Sequence, residues 1–453
     1  MSRLSRVILN FILVASPLFL GSNRAIFWAL NGGLSAFALF FFVISEARNL
    51  KSGTRNWLLP WDLVSLFAIP ALWMIIQLVP GVPIFLAHPV WLSVPDASAR
   101  ITINPHQTEL ALLWWFSLSV TFIAIRAGTN PKRVRWFLHL MMWTVLLVAV
   151  FGLANVLYGW NSLGLIQKTA YLGWVTGTFV NRNSAASFFV IGLGITSSLG
   201  IEAYRTATIH FDRASPIARI MYFLNSSVSI YFIVGAIILI ANFQTGSRAG
   251  IASSLIVLIA IALITMRETS INRYNVLRAG IVLLVFLVVA SNALYERSGD
   301  AVDSSWARVG LAREALTAIQ ARPFLGHGAG AFQSVEPLYH SPETSSQFIW
   351  NHVHNSYLEA AVDMGIPITT AWLALAAHLV FRLLRTLLKS NNFKPATIAL
   401  FAVLSAESFH ALVDFSMQTQ AIALYVCCLV GLAVGELHIR PGNERLKLNT
   451  ESL

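Results

Sequence analysis

Apolar residues in this chain come in blocks, and each block is about as long as the roughly 20 residues an α-helix needs to cross a bilayer. Uninterrupted apolar runs such as 230–240 and 281–290 indicate helices, because strands of a membrane barrel alternate apolar and polar residues. The blocks predict twelve spans, at about 7–21, 25–45, 61–80, 109–126, 135–158, 184–203, 218–242, 248–266, 277–293, 364–388, 395–414 and 419–437. Of the 453 residues, 56% are apolar and only 11% are charged. Soluble domains carry roughly 25% charged residues, so this chain has too little polar surface to cover itself in water. The expectation is an all-α integral membrane fold forming one polytopic domain over 1–453. The first span is short and follows Arg3 and Arg6, which makes a cleaved signal peptide the competing reading. An uncleaved first helix is preferred, because no small-x-small cleavage site follows the apolar run. Cys427 and Cys428 are adjacent in the last span and indicate neither a disulfide framework nor a metal site.

The net charge of +11 is distributed by topology. With the N-terminus in the cytoplasm, 22 of the 31 basic residues fall in inside segments, and each of those segments holds at least two. This positive-inside pattern supports an even number of helices and places both termini in the cytoplasm. It also makes nucleic-acid binding an unnecessary explanation of the charge. Nine basic residues stay outside against the bias: Arg24, Arg100, Lys168, Arg182, Arg248, Arg297, Arg308, Arg313 and Arg322. An anionic ligand on the outer face is a reason to keep them, since a guanidinium grips phosphate oxygens in pairs.

Most loops are short, but 294–356 is a polar outside segment of about 60 residues. Trp306, Leu311, Ala315, Leu316 and Ile319 recur at helical spacing, which predicts an amphipathic helix over about 304–321. Pro323 stops that helix, and Gly326-His327-Gly328-Ala329-Gly330 follows as a tight turn. The loops 81–108 and 159–183, rich in Pro, Gly, Trp and Asn, can complete the wall of a vestibule.

Four constellations carry candidate chemistry. Arg182 lies between Asn181 and Asn183 at a helix start, where backbone N–H groups and a guanidinium together suit an anion. An interfacial anchor with a helix cap fits the same residues. Arg248, in Thr245-Gly246-Ser247-Arg248-Ala249-Gly250, sits in a short loop near the hydrocarbon, where a charge needs a partner or a ligand. A snorkelling arginine is the bland alternative. The third stretch runs from Asn351 through His352, His354, Asn355 and Glu359 to Asp363, with helical spacing expected from His354 onward. A histidine here can act as a general base near neutral pH. Two histidines at i, i+2 with no paired cysteine are a weak metal signal. The fourth is Glu407, His410 and Asp414, whose spacing puts them on one face of the eleventh span. Such residues orient a catalytic group or form a purely structural network.

Together these stretches resemble the O-antigen ligase/polymerase family of bacterial envelope glycosyltransferases. The likeness runs over roughly 177–420. It is carried by GTFVNRNSAASF (177–188), QTGSRAG (244–250), WARVGLAREALTAIQARPFLGHGAGAF (306–332) and HNSYLEAAVDMGI (354–366), in that order within a multi-span chain. The resemblance implies a GT-C-like membrane bundle in the bacterial inner membrane with one long periplasmic loop. It implies a glycan donor on undecaprenyl diphosphate and transfer to a hydroxyl on the periplasmic face, inverting and without a metal or other cofactor. Arg182 and Arg248 would then hold the diphosphate, with Arg308 and Arg313 as further contacts. His354 would activate the acceptor hydroxyl or assist the leaving diphosphate, and 308–330 would cover the site. Asn181, Asn183, His327, His352, Asn355, Glu359, Glu407, His410 and Asp414 are supporting candidates. The acceptor stays open among a growing polysaccharide, a lipid A core and a protein hydroxyl, with a polymerase slightly preferred. A transporter or flippase of lipid-linked sugars would use the same arginines, but it calls for ionisable residues near the bilayer midplane. Here they cluster at the outer ends of spans.

Overall fold

The computed structural model describes residues 2–49, 61–208, 226–268, 298–342, 344, 349–389 and 394–437. The bundle begins with α1 (Arg3–Leu18), α2 (Ala25–Asn49), α3 (Trp61–Leu78), α4 (Pro105–Gly128), α5 (Pro131–Tyr158), α6 (Arg182–Thr208), α7 (Ser227–Phe243) and α8 (Arg248–Glu268). Three helices, α9 (Ser298–Ala321), α10 (Phe332–Tyr339) and α11 (Ser356–Met364), follow. The chain returns to the bundle through α12 (Ile366–Lys389), α13 (Pro395–His410) and α14 (Gln420–Leu437). Seven of these, α2, α4, α5, α6, α8, α12 and α14, are long and apolar enough to cross a membrane. The apolar parts of α3 and α7 are shorter. The helices α1 and α13 have 16 residues each, about 24 Å of helix against about 30 Å of hydrocarbon. The span expected over 277–293 lies outside the described residues.

Local sequence sets the helix starts. Asn104 and Asn130 each precede a proline, accept a hydrogen bond from an N–H of the first turn, and open α4 and α5. Gly159 ends α5 in the left-handed conformation. The core is built on α6 and α14, each 83% buried over its span, whereas α12 is 17% buried. Both central helices carry small residues, Ser184, Ala185, Gly192 and Gly194 on one and Ala421, Ala423 and Gly431 on the other. Small side chains let backbones approach closely, which is how helices associate where lipid removes the hydrophobic incentive. Cys427 and Cys428 are buried here as packing residues. A polar thread crosses this core: the Asn31 amide donates to Gln420 Oε1 (2.7 Å), and the Gln420 amide donates to Ser117 (3.0 Å).

Two of the expected helical stretches stop earlier or start later than their spacing suggests. The eleventh span was expected to reach 414, but α13 ends at His410. The next amides fold back in tight turns, Leu412 N–H to the Phe409 carbonyl and Val413 N–H to the His410 carbonyl, so Asp414 lies beyond the helix. Helical spacing was likewise expected from His354, but α11 begins at Ser356. Asn355 caps it by accepting from the Tyr357 and Leu358 amides at 3.0 Å each, which holds His354 outside the helix.

Over one end of the bundle, α9, α10 and α11 enclose a second small core that includes Leu311, Ala315, Ala318, Phe332, Val335 and Val362. Arg322 fastens it, donating to the carbonyls of Leu86, Ala87 and Gly326 at 2.8–2.9 Å. Retained against the charge bias, this guanidinium binds backbone rather than an anion. Gln77 at the end of α3 adds bonds to the Leu325 and Asp363 carbonyls and to the Ala329 amide. Gly328 has φ +116°, and a Cβ there would lie 2.0 Å from the Thr102 hydroxyl oxygen, so the turn admits only glycine.

His327 belongs to this layer. The Val90 amide donates to His88 Nδ1 (3.3 Å), so His88 donates from Nε2 to His327 Nδ1 (2.9 Å). His327 in turn donates from Nε2 to the Ala318 carbonyl (2.9 Å). Both rings are therefore neutral. Burial, with the neighbouring positive groups, pushes His88 down to about 3 and His327 to about 4. An unfolded histidine titrates near 6.5, so below that pH the unfolded form takes up more protons and stability falls. We expect the amides of 86–90 and 326–330 to lose hydrogen-exchange protection as pH drops from 6.5 toward 4, after correction for intrinsic rates. Constant protection across that range would show that the pair does not hold this layer.

Candidate active site

The turn between α13 and α14 presents one fully buried carboxylate, Asp414. Its Oδ1 accepts from His354 Nδ1 at 3.1 Å and from the Asn183 amide at 3.2 Å, and its Oδ2 accepts from the Ser416 hydroxyl at 2.6 Å. The Asp414 carbonyl accepts from Ser356 (3.0 Å), whose hydroxyl also lies 3.0 Å from Gln418 Oε1. Three separate stretches of chain thus meet at one residue: the start of α6, the approach to α11, and the α13–α14 turn. Burial by itself would raise the Asp414 pKa. The hydrogen bonds from His354 and Ser416, with the electrostatic influence of the His410 and His354 rings, outweigh it and hold the group at about 2. Asp414 is therefore an anion at neutral pH.

His354 stands in the left-handed region at φ +57°, a conformation uncommon for a residue with a side chain. Such strain persists only where surrounding contacts over-determine it. Here the Asn355 cap, the Asp414 bond and the Phe415 ring supply those contacts. Phe415 lies edge-on to His354 at 4.8 Å and stacks on His352 at 4.3 Å. With Nδ1 donating to Asp414, the neutral His354 ring keeps Nε2 as an acceptor, and no described residue occupies it. His352 is tied to Glu359 instead, Nδ1 to Oε1 at 2.7 Å, while Glu359 Oε2 accepts from the Val353 amide at 3.0 Å. Burial works against a charged His352, but Glu359 and Asp414 hold its pKa above the ordinary value.

Arg182 and Arg308 act on the same place. Arg182, the first residue of α6, lies over the rings of Tyr171 (5.4 Å) and Trp174 (5.2 Å), a cation–π arrangement. Burial raises the Tyr171 pKa; Arg182 and Arg308 oppose that shift and Asp414 adds to it, so all three charges act on one phenol. Arg308 and Asp414 also act on His410. Arg248 opens α8 and is exposed, and no described residue holds its guanidinium. Its loop packs on the Arg182 platform. The Val175 amide donates to the Gln244 carbonyl (2.9 Å), and Gly246 faces the Trp174 ring. Arg313 lies five residues beyond Arg308, about 140° further round α9, and is exposed.

Behind Asp414, Glu407 and His410 are buried in α13. Glu407 Oε2 accepts from Ser187 at 2.5 Å, and Asn181 caps α6 by accepting from the Asn183 amide at 2.7 Å. Asn355 Nδ2 reaches the Leu412 carbonyl at 3.0 Å, locking α11 to the turn that carries Asp414. His327 is set apart in the overlying layer with His88. Sequence reasoning named neither Tyr171 nor Trp174 individually, nor Phe415, Ser187 and Ser416. An aromatic-rich loop just before the Asn-Arg-Asn motif was the available sign for the first two. No spacing rule points to the others.

Gly246 is the narrowest junction in the site. Its φ is +65°, and a Cβ would meet Trp174 ring carbons at 2.1 Å. We expect Gly246→Ala to cost about 2–4 kcal/mol, from left-handed alanine plus overpacking. Thermal unfolding of the detergent-solubilised protein measures this, and an unchanged midpoint would show that the two loops do not pack as described.

No curated protein matches this chain. A comparison with protein-family models covers the stretch that carries Arg248, Arg308, Arg313 and His354. Residues 233–373 match the family described as O-antigen ligase.

Proposed function

We propose that this chain is a glycosyltransferase of the bacterial inner membrane. It transfers an oligosaccharide or polysaccharide from undecaprenyl diphosphate to a hydroxyl acceptor on the periplasmic face. The family match over 233–373 implies glycosyl transfer of the O-antigen ligase type. The observation that carries the mechanism is the His354–Asp414 pair, with Arg182 and Arg308 acting on groups that Asp414 also acts on. Asp414 fixes the ring tautomer and stabilises the imidazolium that forms when Nε2 takes the acceptor proton. The acceptor oxygen attacks the anomeric carbon as the bond to the diphosphate breaks, inverting that centre. Negative charge grows on the leaving diphosphate, and preorganised cations aimed at it supply a large part of the rate. Arg182, held on its aromatic platform, Arg248 and Arg308 fill that role, so the arginines do the work a metal does elsewhere. The donor's polyprenyl tail stays in lipid, which suits a bundle with both termini in the cytoplasm and its reactive end in the periplasm.

Among acceptors, a growing polysaccharide is placed first, ahead of a lipid A core. Gel analysis of surface glycans from a deletion strain separates them. Single repeats without polymer indicate a polymerase. Lipid-linked polymer that never reaches lipid A indicates a ligase. Unchanged glycans would sink both. In reconstituted transfer from an undecaprenyl-diphosphate glycan, we expect His354→Asn to lower the rate about 10²–10⁴-fold, since asparagine tolerates the left-handed backbone but offers no comparable base. Asp414→Asn should cost at least about 10²-fold by releasing the ring. Near-normal transfer by His354→Asn would remove His354 from the chemistry.

A further inference from the structure

The layer over the bundle holds a second cluster of chemistry-bearing side chains that glycosyl transfer does not use. Glu314 projects from α9, Glu336 from α10, and His340 stands at the end of α10. One ligand atom from each lies within 4.8 Å of the other two. The carboxylates are buried, and His340 is accessible. Glu314 Oε1 accepts from both the amide and the hydroxyl of Ser341, at 2.8 Å each. Glu314 Oε2 is buried and has no hydrogen-bond partner. A buried carboxylate oxygen without a partner is costly, and native structures rarely leave one. Glu336 Oε1 accepts a hydrogen bond from His340 Nδ1 at 2.5 Å. Even with that ring charged, two carboxylates and one imidazolium leave the cluster at −1.

We propose that Glu314, Glu336 and His340 form a structural site for one divalent metal ion of the zinc type. Two carboxylates and an imidazole are a donor set that zinc accepts, with water in the fourth position. Zinc bonds of about 2.0–2.2 Å hold tetrahedral ligand atoms about 3.4 Å apart, so modest side-chain rotation closes the cluster. The ion takes Glu314 Oε2, one Glu336 oxygen and His340 Nδ1, and the proton in the His340–Glu336 hydrogen bond leaves to solvent. Binding therefore weakens as pH falls.

The fold has a use for this ion. The second core is small, and small cores are commonly stapled by a metal or a disulfide. The site joins α9 to α10 at the edge of that core, beside Leu311, Ala315 and Val335. It also steadies the helix that carries Arg308, six residues or about 9 Å from Glu314. The proposal does not depend on the reaction assigned above, because the ion touches no reacting group.

The test uses the full chain purified in detergent, stripped with a chelator and titrated with zinc alone. We expect about one tightly bound zinc per chain, with binding weakened at least tenfold in His340→Ala and in Glu314→Gln. Zinc should also raise the unfolding temperature of the unmodified chain but not of His340→Ala. The His340 side chain is accessible, so its removal leaves the packing intact, and that variant decides the matter if Glu314→Gln folds poorly. Absence of a stoichiometric zinc, or equal affinity in the unmodified chain and His340→Ala, overturns the proposal.

Discussion

A buried carboxylate must be surrounded by donors or it destabilises the fold, and Asp414 obeys that constraint by drawing three distant stretches together. Asn183 anchors the start of α6, His354 the approach to α11, and Ser416 the turn itself. Much of the site's geometry follows. The bond to His354 sets the ring tautomer. The bond to Asn183 places neighbouring Arg182 at the same end of the bundle. The turn that exposes Asp414 to these partners ends α13 at His410. Removing the charge would loosen each of these stretches, so the site's assembly and its electrostatics are one problem.

The electrostatics are arranged in layers of opposite sign. An anion lies at the centre, His354 bonds to it, and Arg182 and Arg308 act on neighbouring groups. Arg182 lies over the ring faces of Tyr171 and Trp174. The overlying layer is fastened by different means: Arg322 on three backbone carbonyls and a neutral pair of histidines. The same residue types therefore do unlike work, and their neighbours decide which work it is.

Much of this was legible in the chain. Apolar blocks marked the helices of the bundle. The motifs around Arg182, Arg248 and His354 were visible because short polar runs between apolar helices stand out. Less visible was which arginines serve which end. Arg322 and Arg182 look alike in sequence, yet one binds carbonyls and the other lies on aromatic rings. Helix ends were also hidden. Asp414 is in register with Glu407 and His410, and periodicity alone extends α13 to include it. His354 is in register with Leu358 in the same way.

The sequence by itself determined that the described residues form a bundle of helices, several of them apolar and long enough to cross a membrane. Those properties follow from hydropathy and charge, which each residue carries wherever it lies. Tertiary structure alone decided that His354 faces Asp414, that Arg182 lies on Tyr171 and Trp174, and that Glu314 meets Glu336 and His340. These approaches join residues up to 60 positions apart. They depend on how helices pack and on where buried polar groups find partners, which no local pattern encodes.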